Sequence, residues 1–192
     1  MEKAVNSLDK ILNPRKIEII DDIVYMSPLP SVKHSKLMFR ITLPFEMYLR
    51  KKKCEVYQVI NVYYNPDKPK NHVIPDIAVM CEPDKFKPNG YYGVPSLIVE
   101  ILSSNRKDDQ GTKFDLYERI GVSEYWIVDP LSDTINQYIL INGKYKLIEV
   151  YRYILAEEFE TLDENEQEEH KTFIVPNLFK DLEISLEDIF GA

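Results

Sequence analysis

The spacing of apolar residues predicts two helices. Within 31–53, apolar residues recur every three or four positions, which is the period of an amphipathic helix, and Ser31 is a suitable N-terminal cap. Pro44 lies inside this stretch, and we expect it to kink or divide the helix. A second helical pattern covers 109–120 and ends at Gly121, a residue type that commonly terminates helices. Each segment therefore has one face that can pack against a core.

Shorter apolar runs predict a β-sheet around these helices. Strand patterns occur, in chain order, at 55–62, 73–80, 97–102, 124–128, 134–140 and 144–150. The runs at 73–80 and 97–102 are nearly continuous, as in strands covered on both faces. Hairpins are predicted at 16–26 and around Asn142-Gly143. This order of elements predicts a mixed α/β sheet layered with helices.

The composition is that of an ordinary folded domain. Of 192 residues, 44% are hydrophobic, and 24 basic against 32 acidic side chains give a net charge of −8. Eight acidic and no basic residues fall within 157–169, so the rest of the chain is neutral overall. We predict one domain, 1–192, with an acidic loop or insertion at about 157–169. Because phosphate binding depends on where Lys and Arg lie, the negative total does not exclude a nucleic-acid partner.

The sequence predicts neither a membrane segment nor a zinc site. No apolar run reaches the roughly 20 residues of a membrane span, and the start lacks a signal-peptide pattern, so we expect a cytoplasmic protein. Cys54 and Cys81 share no CxxC spacing, and we expect reduced thiols. The three histidines share no metal-ligand spacing with them. The sequence also has no Gly-rich phosphate loop, and we predict no organic cofactor.

Two carboxylates stand in otherwise apolar strand patterns. Glu100 lies inside the run 97–102, and Asp76 lies near the start of the run that ends at Met80. An unpaired buried carboxylate is costly, so each needs a partner, a shifted pKa or a metal ion. Together they would form an oxygen site suited to Mg²⁺ or Mn²⁺. Alternatively, Glu100 forms a salt bridge or reaches water, and Asp76 belongs to a turn.

The helix after the Glu100 strand brings a positive charge towards this pair. Asp109, Lys113 and Tyr117 are spaced four residues apart and share one helix face. Because only 103–108 separate the strand from the helix, the first helical turns should lie near the C-terminal end of the strand. The alternative is an ordinary surface ion pair between Asp109 and Lys113.

Three segments resemble a bacterial restriction-endonuclease family of the PD-(D/E)xK nuclease superfamily: IPDIAVM, GVPSLIVEILS and DQGTKFDLYERIGVSEYWIVDP. The resemblance covers nearly the whole chain. It implies a restriction-endonuclease-like mixed β-sheet core flanked by helices, with additional β-hairpins, and a metal-dependent DNA endonuclease. It makes Asp76 the PD aspartate and Glu100 the (D/E)xK acid. Leu102 stands where that motif has lysine, and the resemblance moves the lysine function to Lys113 on the following helix.

Phosphodiester hydrolysis needs a metal ion to neutralise developing charge, an oriented water and a cation near the attacking oxygen. By resemblance, Asp76, Glu100 and the Ile101 carbonyl would hold Mg²⁺ or Mn²⁺. Lys113 would orient or deprotonate the water. Asp109 would hold the Lys113 ammonium in place or contact a metal-bound water.

Several accessory residues complete the predicted site. Related nucleases make Glu46 on the first helix a candidate outer ligand. His34 matches a histidine at the helix start in the family, the alternative being an ordinary surface histidine. Tyr117 shares the site-facing side of the second helix. If the site is a nuclease site, Arg106 and Lys107 are candidate phosphate contacts.

Three functions are compatible with these residues. The first is a Mg²⁺-dependent DNA endonuclease, which we expect to be a homodimer because a two-strand cut is most simply made by two related sites. The second is a catalytically inactive nuclease fold that acts as a binding module, with the acidic 157–169 segment as the partner surface. The third is metal-assisted hydrolysis of a small phosphate ester.

Overall fold

The computed structural model describes residues 16–27, 29–103 and 111–191. In chain order, its elements are β1 (Lys16–Ile20), β2 (Ile23–Ser27), α1 (Val32–Leu49), β3 (Glu55–Gln58), β4 (Ile77–Met80), β5 (Phe86–Lys87), β6 (Gly90–Tyr91), β7 (Leu97–Ile101), α2 (Lys113–Ile120), β8 (Glu124–Asp129), β9 (Thr134–Ile141), β10 (Lys144–Arg152), α3 (Ala156–Phe159), α4 (Glu164–Glu169), β11 (Phe173–Ile174), β12 (Ile184–Ser185) and α5 (Leu186–Phe190). A short 3-10 turn, Pro83–Lys85, precedes β5.

A six-stranded mixed sheet forms the centre, in the order β10-β9-β8-β7-β4-β3. The β7–β8 pair is parallel, and the other neighbouring pairs are antiparallel. Parallel strands need a crossover connection, and α2 lies in the segment that joins β7 to β8. Both β4 and β7 are buried at every residue, which explains their nearly continuous apolar sequences. The predicted mixed α/β sheet with flanking helices and hairpins is confirmed.

The alternation of side chains along β7 divides the core into two layers. Leu97, Val99 and Ile101 pack in one cluster with the buried face of α1. Ile98 packs in a second cluster with residues of α2, among them Leu116. Glu100 has the same parity as Ile98, so its carboxylate is directed towards the α2 layer.

The first helix begins where the sequence predicted and continues through its proline. The Ser31 hydroxyl accepts a hydrogen bond of 3.2 Å from the His34 N–H, which is the predicted cap. Of the two expectations for Pro44, division of the helix is wrong, because Pro44 lies within the 18-residue helix α1, and a kink stays a prediction. Buried residues on both sides of Pro44, including Ile41 and Phe45, hold one apolar face against the core. None of the helices in the described ranges is long and apolar enough to cross a membrane.

The remaining predicted elements differ mainly in their bounds. The strand patterns at 55–62 and 73–80 shorten to β3 and β4. Gly121 ends α2 in the left-handed conformation, with φ at 90°, as its position predicted. Sequence patterns did not identify β5, β6, β11, β12 or the helices after β10. The acidic segment forms α3 and α4, and Asp163 with Glu166 makes a capping box at the start of α4.

Cys54 and Cys81 form a disulfide, so the expectation of reduced thiols is wrong. Glu55 pairs with Met80 across the antiparallel β3–β4 ladder, and the two cysteines are the next residues outward on each strand. Their Cα atoms lie 4.0 Å apart. Register between strands brings the thiols together, and the 27-residue separation in sequence gave no sign of it.

Candidate active site

The antiparallel register of β4 and β7 brings Asp76 and Glu100 together. Ile77 is paired with Val99, so the residue before Ile77 lies beside the residue after Val99. Asp76 Oδ2 accepts a hydrogen bond of 2.9 Å from the Ile101 N–H. Asp76 and Glu100 are 7% and 1% exposed, and both line the same cavity. The two carboxylates that the sequence singled out are therefore neighbours.

Helix α2 supplies two donors to Glu100. Lys113 Nζ donates to Glu100 Oε1 at 3.0 Å, and the Tyr117 hydroxyl donates to the same oxygen at 2.7 Å. These two donors are one turn apart on the buried face of α2, as their four-residue spacing predicted. Burial and the nearby charge of Glu100 raise the pKa of Tyr117 well above its usual value. The phenol therefore stays protonated and serves as a donor.

A third buried carboxylate, Glu18 of β1, contacts Lys113 from another direction. Glu18 Oε2 lies 3.3 Å from Lys113 Nζ, and Oε1 accepts a hydrogen bond of 2.7 Å from the Ile74 N–H. The Lys113 ammonium thus contacts two carboxylates that are each 1% exposed. Glu18 was not among the predicted site residues. The signal that identified Glu100, a lone carboxylate inside an apolar strand, is also present in KIEII and could have found it.

Asp76 has two basic neighbours, Lys16 and His34. Lys16 Nζ donates to Asp76 Oδ1 at 3.3 Å. His34 Nε2 lies 3.1 Å from Oδ2, an ion-pair distance, but its N–H is not aligned for a hydrogen bond. Burial raises the pKa of Asp76, yet the contacts with His34 and the charges of Lys16 and Lys113 outweigh it, and the net pKa lies below the usual value. Asp76 is therefore ionised at neutral pH.

A cavity of about 530 Å³ is lined by five of these residues: Lys16, His34, Asp76, Glu100 and Lys113. Its wall combines β1, the N-terminal end of α1, the residues just before β4, the C-terminal end of β7 and the start of α2. His34 is a buried residue of this wall rather than a surface histidine. Ile101 also lines it. The acidic 157–169 segment contributes none of its described lining residues.

The other predicted site residues are elsewhere or outside the described ranges. Glu46 is exposed, lies 3.5 Å from Arg50 and does not line the cavity. It follows His34 by three turns of α1, about 18 Å along the helix axis, so it is too far along the helix to join this wall. Asp109, Arg106 and Lys107 lie outside the described residues.

The donor atoms at this site suit a hard divalent cation. Asp76 and Glu100 offer carboxylate oxygens, the ligands that Mg²⁺ and Mn²⁺ prefer. They are only a partial ligand set, because no three His, Cys, Asp or Glu side chains within 16–27, 29–103 and 111–191 are grouped so as to hold a metal ion. Lys16 and Lys113 contact these same carboxylates. The site thus combines carboxylate oxygens with the ammonium groups of two lysines beside one cavity.

A known protein family also matches this chain. The family model Uma2, described as "Putative restriction endonuclease", matches residues 6–187. The chain belongs to this family. Membership in Uma2 confirms the family resemblance carried by the three sequence segments, and the match covers nearly the full chain, as that resemblance did.

The Uma2 chain also has a close fold match among solved structures. It is similar to "a putative nuclease belonging to DUF820" from Anabaena variabilis ATCC 29413, with a TM-score of 0.67 over 95% of this chain and 96% of that chain. Sequence identity is 19%, so this likeness establishes the fold alone. The restriction-endonuclease-like architecture predicted from the sequence is confirmed. No curated protein sequence matches the chain.

Proposed function

We propose that this Uma2 protein is a divalent-metal-dependent endonuclease that hydrolyses phosphodiester bonds in DNA. The observation that carries the proposal is the convergence of Asp76, Glu100 and Lys113 on one cavity, with Lys113 Nζ 3.0 Å from Glu100. Family membership supports the nuclease class. Glu100 and Lys113 are far apart in sequence compared with the PD-(D/E)xK motif. The packing of α2 against β7 brings them into contact.

In this proposal, Asp76 and Glu100 hold Mg²⁺ or Mn²⁺, together with the Ile101 carbonyl. A bound ion would neutralise charge that develops on the phosphate oxygens. The low pKa of Asp76 keeps its carboxylate ready to serve as a ligand at neutral pH. The Tyr117 hydroxyl fixes one oxygen of Glu100, which limits the rotation of that carboxylate.

Lys113 orients the attacking water and stabilises the transition state. Its ammonium group is fixed by Glu100 and Glu18, at 3.0 and 3.3 Å. A charge held in place in a buried site needs little reorganisation during the reaction, which is the usual source of electrostatic catalysis. Glu18 is therefore a positioning residue, because it acts through Lys113. Asp109 remains the predicted further partner of Lys113, and Arg106 and Lys107 remain the predicted phosphate contacts.

The assembly and location follow the same proposal. A homodimer would present two related sites to the two DNA strands. A cytoplasmic location would give the enzyme access to DNA. Sedimentation analysis of the purified protein tests the first point, and cell fractionation tests the second.

A cleavage assay tests the proposed activity. Supercoiled plasmid and a short duplex are incubated with Mg²⁺ or Mn²⁺ and with the native protein, Glu100→Gln or Lys113→Met. We expect the native protein to cut and each variant to lose about 100-fold or more in rate, the scale of a lost acid–base or electrostatic group. Lys144→Met, at an exposed ion pair with Glu118, is the matched control and should cut normally. Equal cutting by all four proteins would identify a contaminant.

The second candidate is a non-catalytic binding module with a nuclease fold. The observation that favours it is that ammonium groups contact both candidate metal-binding carboxylates. Calorimetric titration with Mn²⁺ separates the two functions, because a binding module would take up no ion at Asp76. Nucleotides and short oligonucleotides added to the substrate panel would reveal a small phosphate ester hydrolase.

A further inference from the structure

We propose that Lys16 is an internal competitor for the divalent ion at Asp76. The ammonium group of Lys16 neutralises this carboxylate, and ion binding requires it to withdraw. The inference rests on the proposed function, because it takes Asp76 as a metal ligand. It concerns a residue that the sequence patterns and the family motif left aside.

The two oxygens of Asp76 have different neighbours. Oδ2 accepts the Ile101 N–H at 2.9 Å and has His34 Nε2 at 3.1 Å. Oδ1 has Lys16 Nζ at 3.3 Å. The backbone donor of a buried strand is fixed, whereas a lysine ammonium at the end of a flexible stem can move. Oδ1 is therefore the oxygen that an incoming ion can take, and Lys16 is the group that it must displace.

An ion and the Lys16 ammonium cannot share Oδ1 at low cost. Divalent ions bind carboxylate oxygens at about 2.0–2.6 Å, so an ion on Oδ1 would lie no more than about 6 Å from an ammonium that kept its present contact. Like charges this close repel strongly when they are shielded from water. Withdrawal of Lys16 relieves this repulsion.

The charges of the described residues point to the same exchange. Two ammonium groups, of Lys16 and Lys113, contact the three carboxylates of Glu18, Asp76 and Glu100. These two positive and three negative groups nearly cancel. A divalent ion added to them would leave an excess of positive charge unless one ammonium group withdraws. A buried site with an uncompensated charge is unfavourable.

Lys16 is the ammonium that can leave. Its side chain is 15% exposed, against 6% for Lys113. It pairs with one carboxylate among the described residues, whereas Lys113 contacts two. Lys16 is also the first residue of β1 and lines the cavity. It can therefore withdraw without breaking the contacts that hold Lys113.

Isothermal titration with MnCl₂ tests the competition. We expect Lys16→Met to bind Mn²⁺ about tenfold more tightly than the native protein, equivalent to about 1.4 kcal/mol. Lys16→Arg keeps the charge and should bind like the native protein. Lys68→Met is the matched control, because Lys68 pairs with an exposed carboxylate, Asp22, at 2.6 Å and does not line the cavity. Unchanged or weaker binding by Lys16→Met would overturn the proposal.

Asp76→Asn, combined with native Lys16 and with Lys16→Met, separates this proposal from the proposed function. If Asp76→Asn abolishes Mn²⁺ binding and Lys16→Met does not tighten it, the competitor role alone is wrong. If Asp76→Asn leaves Mn²⁺ binding unchanged, Asp76 is not a ligand, and both proposals are overturned at this residue.

A measurement on the native protein does not depend on the folding of variants. An amine-acetylating reagent is applied with and without Mg²⁺, and the modification of each lysine is followed by mass spectrometry. We expect Mg²⁺ to raise the reactivity of Lys16 several-fold relative to Lys68, because the withdrawn ammonium is exposed. Equal reactivity of Lys16 with and without Mg²⁺, at a concentration that saturates binding, would contradict its displacement.

Discussion

Replacement of Lys113 by methionine tests the central electrostatic argument. Lys113 is 4% exposed, and its ammonium lies 3.0 Å from Glu100 and 3.3 Å from Glu18. Methionine fills much of the same space but leaves both carboxylates without this charge. Removal of one partner from a buried ion pair costs about 3–5 kcal/mol. In a protein of this size, each kcal/mol lowers the melting temperature by about 2–4 °C, so we expect a fall of about 6–20 °C.

Urea unfolding of the native protein and the variant measures this loss directly. Lys144→Met removes an exposed ion pair with Glu118 and should change the free energy of unfolding by no more than about 1 kcal/mol. A triple variant, Lys113→Met with Glu18→Gln and Glu100→Gln, removes the stranded charges and should recover most of the lost stability. A loss below about 1 kcal/mol in Lys113→Met, or no recovery in the triple variant, would refute the reasoning.

Three further predictions concern the neighbours of Lys113. Glu18→Gln keeps the acceptor for the Ile74 N–H but weakens the fixation of Lys113, so we expect kcat for DNA cleavage to fall about tenfold with little change in KM. Steady-state kinetics check this, and a change confined to KM would contradict the positioning role. Tyr117→Phe removes a 2.7 Å hydrogen bond to a charged acceptor and should cost about 1.5–3 kcal/mol in urea unfolding. The folded-state pKa of Asp76 is depressed, so its stabilisation is present above about pH 4 and is lost as the pH falls further. Between about pH 5 and 2, the free energy of unfolding should therefore fall less steeply for Asp76→Asn than for the native protein, and equal slopes would count against the assigned pKa.

Asp76 and Glu100 could be singled out from the sequence because a carboxylate in an apolar strand is costly to bury without a partner. A lone Glu100 in an apolar strand needs a partner, and the four-residue spacing of Lys113 and Tyr117 placed two donors on one helix face. The register that puts Asp76 beside Glu100 depends on which strands pair, and periodicity does not predict strand pairing. The family resemblance linked the two residues by naming them as the acids of one motif. The PD-(D/E)xK motif therefore complemented the physical pattern.

Lys16 and Glu18 were missed because their role depends on long-range packing. Ile19 exchanges two backbone hydrogen bonds of 2.9 Å with His72, and this contact docks β1 beside the approach to β4. More than 50 residues separate these segments, so local periodicity gives no sign of the contact. The Cys54–Cys81 disulfide was missed for the same reason, because it depends on the register of two strands. The expected position of Glu46 at the site is wrong for a different reason: the helix that carries it was predicted, but Glu46 lies about 18 Å along the helix axis from His34, beyond the cavity wall.

The docking of the β1–β2 hairpin makes this site a product of complete folding. Glu18 and Lys16 come from the hairpin, Asp76 and Glu100 come from the sheet, and Lys113 comes from a helix. A chain whose sheet has formed before its hairpin docks would have the acids of the sheet but not the full set of contacts around Lys113. On the proposed function, a molecule whose hairpin had not docked would lack the Glu18 contact that helps to fix Lys113, and its cleavage rate would be lower than that of the complete fold.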